Sequence, residues 1–165
     1  MVGPSVHADP RATAGETPHQ GGGGPLRIAH RSQMHLLVLA ANGKWTPEVR
    51  AWLQSALAAL INAGGAVPLE RCLRLPMTPA KWRQLMRNYW LLNAIEASGQ
   101  ESLWMACVEV SDALAAFLSR GPWHAWRSLQ DPPAGTPVFR SALFYVAKHN
   151  GGEPLSPRHV YRIAR

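Results

Sequence analysis

Side chains that grip phosphate are the ones this sequence carries in excess. Among its 165 residues are 14 arginines and 3 lysines, against 10 carboxylates, for a formal net charge of +7. A guanidinium offers a planar fork of donors that matches two phosphate oxygens at once, so arginines at helical spacing are chemistry for a polyanion. A GC-rich coding sequence also raises arginine content, so position decides more than number.

Two stretches collect the charge. In 68–90, Arg71, Arg74, Lys81, Arg83 and Arg87 stand against Glu70 alone, a net of +4. Arg83, Gln84, Arg87 and Asn88 fall on one side of a helix, and these side-chain types reach guanine and adenine edges. In 137–165, Arg140, Lys148, Arg158, Arg162 and Arg165 stand against Glu153, again +4. Arg158, Arg162 and Arg165 follow one another at i, i+4 and i+7, a stripe that could lie along a phosphate backbone. Between the two lies 96–119, with Glu96, Glu101, Glu109 and Asp112 and no base.

Aromatic chemistry is the second resource. Seven tryptophans occur. Trp123 and Trp126, with Arg120 before them and Arg127 after, have the interleaving that stacks unpaired bases or anchors a protein interface. Packing of both rings on a core explains them equally well.

Other chemistries lack their residues. Cys72 and Cys107 stand alone, without Cys-x-x-Cys or His-x-x-x-His spacing, so no metal site is expected. No phosphate loop, dinucleotide fingerprint or nucleophile elbow occurs. The expectation is a non-enzyme with no catalytic residues, no cofactor and no small-molecule substrate.

The elements that must position these groups are marked by punctuation. Thr46-Pro47, Thr78-Pro79, Thr136-Pro137 and Ser156-Pro157 each offer a hydroxyl at the N-cap and a preset φ at the first helical position. Glycines at 64–65, 99, 121 and 151–152 close the segments. The apolar period is helical over 47–63, 79–98, 100–119 and 137–149. Shorter helices are predicted over 68–75, 122–129 and 157–164. Residues 31–41 read as either a buried helix or a strand, and helix is preferred because a strand would have no partner. The short helix at 68–75, a three-residue turn and the helix from Pro79 onward resemble a helix-turn-helix.

The fold expected is therefore all-α, a single globular domain of six to eight short capped helices over 27–165. Residues 1–25, rich in Gly and Pro and poor in large apolar side chains, read as a disordered tail. They lack the basic-then-apolar pattern of a secretory signal. The longest apolar run, Leu36 to Ala41, is far shorter than a membrane span. A cytoplasmic protein that binds DNA or RNA through Arg-rich helices is expected, as a regulator or an accessory subunit. The alternative is a helical module that binds a protein partner or a second copy through exposed Trp and Tyr residues.

Overall fold

Local capping decides where the helices begin. At Thr46, Thr78 and Ser156 the side-chain oxygen accepts from the backbone N–H three residues on, and proline follows at once. One orphan donor is satisfied at each start and φ is preset. The computed structural model describes residues 33–165. The segment 1–25 read as a tail, and the residues 27–32 assigned to the helical region, lie outside the described residues.

The helices are α1 (Gln33–Ala41), α2 (Pro47–Asn62), α3 (Leu69–Cys72), α4 (Pro79–Ala97), α5 (Leu103–Ser119), α6 (Trp123–Trp126), α7 (Val138–His149) and α8 (Pro157–Ala164). The described residues contain no strand. The all-α expectation holds, and the ambiguous stretch 31–41 is helical from residue 33. Among the described residues, no helix is long and apolar enough to cross a membrane.

Three local readings change. The helix expected over 68–75 stops at Cys72, because Arg74 turns into the left-handed region at φ 56°. Its N–H reaches Arg71 O, and Leu75 N–H reaches Glu70 O at 2.7 Å, the paired bonds of a Schellman stop. Arginine stands there where glycine is usual, so the sequence hides the stop. The helix expected over 122–129 shrinks to the single turn of α6. Thr136 is not the cap of α7: its hydroxyl donates to Pro133 O at 2.6 Å, and the cap position falls on Pro137.

The main core is built from α4, α5, α7 and α8. Leu91 and Ile95 of α4, Val110 and Leu114 of α5, Phe144 and Val146 of α7 and Val160 of α8 are fully buried in one cluster. Phe144 is its aromatic centre, with Trp123, Trp126 and Tyr145 edge-on around it. Trp90 stacks on Tyr145 at 4.2 Å, and its indole N–H is buried without a hydrogen-bond partner. Gly121 is required by close approach: a Cβ there would stand 2.6 Å from the Phe117 carbonyl oxygen. Leu155, in the loop before α8, is buried too, and its carbonyl accepts from the buried Ser111 hydroxyl at 2.6 Å.

The first three helices form a separate layer. α2 packs on α1 and α3, and α1 reaches α4. Met34, Val49, Ala56 and Leu73 are buried there, yet none of them joins the main cluster. The Trp52 indole donates to Leu73 O at 3.3 Å and ties α2 to the end of α3.

Candidate nucleic-acid interface

Arg87 anchors the basic surface. It lies midway along α4, where one flank of the helix meets α7 and α8. Its guanidinium is half-buried and held by neutral oxygens. Nε and Nη2 donate to Asn88 Oδ1 at 3.1 and 2.9 Å, and Nη1 donates to Asn150 Oδ1 at 3.2 Å. Burial lowers its pKa from the ordinary arginine value. A guanidinium held by amides keeps its full charge, whereas a carboxylate partner would offset it. The cost of ordering that side chain is met before any ligand arrives.

A groove of ≈ 340 Å³ opens beside Arg87. α4 contributes Ala80, Arg83 and Gln84, and the end of α7 contributes Lys148, His149 and Asn150. Arg83 and Gln84 are exposed one turn before Arg87, as the helical spacing requires. Lys148 is partly committed: Nζ donates to Leu129 O and Gln130 O at 2.6 and 2.8 Å, closing the preceding loop onto α7.

The C-terminal helix does not line this groove but packs on α4 and α5. Val160 and Ala164 of α8 face the core, so the helical rotation turns Arg158, Arg162 and Arg165 outward, and all three are exposed. His159 lies on the flank toward α4. Its pKa is lowered first by burial, then by the charges of Arg87 and Arg162. That mutual influence brings Arg87 and Arg162 to one neighbourhood, though they are far apart in sequence. His149, in the groove, is lowered by burial and by Lys148. Arg83, Gln84 and Arg87 thus share the groove with the end of α7, His159 stands between Arg87 and Arg162, and Arg158 and Arg165 lie with Arg162 along the outer side of α8; these residues are termed the basic corner.

The other expected residues lie elsewhere. Arg71 and Arg74 belong to α3 and its stop, and α3 packs chiefly on α2 instead of on α4. The helix–turn–helix order exists in the chain, but its two helices do not form a packed pair. Lys81 is exposed in the first turn of α4. Trp123 and Trp126 are half-buried, each packed on Phe117 and Phe144. Trp123 also covers Gly152, where a Cβ would meet the indole Nε1 at 3.1 Å.

Residue-by-residue reading missed Asn150 and His159, and it read Asn88 as a base-reading side chain, not as the partner that fixes Arg87. Asn150 and His159 lie in or beside a loop whose path is set by Ser111 and Leu155, more than forty positions apart. The acidic helix α5 sends Glu109 to Gln100, whose amide donates at 2.7 Å. Compared with known protein families, with curated proteins and with solved structures, the chain finds no match in any of the three.

Proposed function

We propose that this chain is a small non-enzymatic protein that binds nucleic acid through the corner made by α4, the end of α7 and α8. It would serve in the cytoplasm as a regulator or as an accessory subunit of a nucleoprotein assembly. The supporting observation is that Arg83 and Arg87 of α4 line one groove with Lys148 and His149 of the sequence-distant α7, while α8, with its outward arginines, packs on the same helix α4. Solvent-exposed arginines scattered for solubility would not need to share a groove, nor to have one guanidinium fixed by two amides.

The test is a salt titration of binding to a short duplex and to a single strand. With about four phosphates engaged, affinity should fall on the order of 100-fold between roughly 50 and 200 mM salt. Arg87→Ala with Arg162→Ala should weaken binding to all sequences alike and make the salt slope shallower by about two. Affinity that ignores salt would overturn the proposal.

The protein-binding alternative is favoured by a different place from the one its sequence suggested. In the apolar stretch 89–92 of α4, Trp90 and Leu92 are packed against the core, and Tyr89 is half-buried edge-on to Trp90. On α2, however, Ile61 is 75% exposed and Leu57 42%. A mass in solution above the monomer, lost on Ile61→Asp, would support that reading.

A further inference from the structure

Trp104, like Trp45, is a tryptophan that stays about half exposed outside the core, and it alone of the two has an aromatic partner on the arginine-bearing α8. It sits in the first turn of α5 and is 47% exposed, beside Met105 at 52%. Water around half of an indole is unfavourable, and exposed aromatic surface commonly marks a contact. Its ring meets Tyr161 of α8 at 5.8 Å in a T-shaped arrangement, 73° between planes. Such a contact occupies at most one face of each ring.

The surroundings say what the free face would meet. Tyr161 lies three residues after Arg158 and four before Arg165, so both arginines are its neighbours on the surface of α8. The aromatic pair therefore borders the outward arginine stripe, on the flank opposite His159 and the groove. Aromatic faces alternating with guanidinium groups are the recurring means of holding unpaired bases, the bases stacking and the phosphates following the charge. A duplex offers only edges and backbone, and has no use for such a ring unless a base is displaced. The adjoining Arg158 and Arg165 add the charge that the phosphates of a strand stacked on Trp104 would match.

We infer that Trp104, braced by Tyr161 and flanked by Arg158 and Arg165, is a stacking platform for unpaired bases, which makes the ligand of the α8 surface a single strand. The inference rests on the nucleic-acid reading of that surface. It differs from the sequence expectation, which placed stacking at Trp123 and Trp126.

The experiment uses the full chain and three labelled probes at one ionic strength: an oligo(dT) of about 15 nucleotides, an abasic strand of equal length, and a duplex of equal length. Oligo(dT) should bind on the order of tenfold more tightly than the abasic strand. Trp104→Ala should abolish that difference while leaving abasic affinity unchanged, and Trp104→Phe, which keeps a ring, should restore most of it. Circular dichroism of both variants establishes that the helices are retained. Equal binding of oligo(dT) and abasic strand by the parent chain overturns the platform. So does a Trp104→Ala variant that loses affinity for every probe alike, or for none. If salt-sensitive binding persists in those cases, the basic corner stands and the platform falls. If no probe binds down to roughly 50 mM salt, both fall. A dimer that Trp104→Ala dissociates, with no preference among the probes, assigns the ring to a protein contact and overturns the inference.

Discussion

At the scale of single residues, the two histidines of the corner carry a testable sign. His149 and His159 both have pKa values lowered from 6.5, first by burial and then by cations: Lys148 for one, Arg87 and Arg162 for the other. Both are therefore neutral at pH 7, and the unfolded chain takes up their protons before the folded one does. Stability contributed by these groups is complete above about pH 6.5 and declines as pH falls toward their folded values. A bound polyanion acts the other way. It offsets Arg87, Arg162 and Lys148, raises both histidine pKa values, and makes binding take up protons. Affinity for an oligonucleotide should rise a few-fold between about pH 7.5 and 5.5, since phosphodiesters do not titrate there. His149→Gln with His159→Gln should flatten the profile; a profile already flat in the parent chain contradicts this account. Tyr145 is outside the range of such switching. Burial, then its bond to Asp131 at 2.7 Å and that carboxylate's charge, push it up to about 12.

At the scale of elements, what was legible was local. Thr46, Thr78 and Ser156 cap as their sequences indicate, because a hydroxyl followed by proline needs only its own turn to act. Thr136 fails because its hydroxyl turns back to donate to Pro133 O and accepts from no N–H of the first turn, where the cap position falls on Pro137. The end of α3 was illegible because Arg74 occupies a conformation that only glycine announces. The arginine stripe on α8 was readable from spacing, yet its meeting with α4 was not. That meeting depends on the loop after α7, which the Ser111 hydroxyl holds through Leu155 O. Ser111→Ala should leave that buried carbonyl unpaired and cost about 1–3 kcal/mol. Urea unfolding would measure it, and a change below a few tenths would refute the role. Because α8 follows that loop, oligonucleotide affinity should fall in the same variant although residue 111 is itself buried.

At the scale of the whole molecule, part of the positive charge, Arg83, Arg87, Lys148 and Arg162 among it, comes together where α4 meets α7 and α8. The core-facing side of α8 secures the helix, its outer side carries three arginines, and its two flanks meet different neighbours: Arg87 through His159, and Trp104 through Tyr161. Composition alone indicated an anionic partner and could not say whether the two basic segments meet. Their meeting is a property of helix packing, to which no residue pattern within either segment refers. The same holds for the tryptophans. Trp123 and Trp126 looked available because arginines surround them in sequence, whereas Phe117 and Phe144 cover them in space.

The separate layer of α1, α2 and α3 has a kinetic meaning. Its buried side chains share no cluster with α4, α5, α7 and α8, so it can open without the main core being lost. Backbone amides of α2 should therefore exchange with deuterium through a local opening, with little dependence on denaturant at low concentration. Amides around Val110 and Leu114 should exchange only through global unfolding. Equal protection of both groups would mean a single cooperative unit. If the layer does open first, protease cleavage in the 73–78 connection would leave behind a trimmed chain that still carries the four core helices and the whole basic corner.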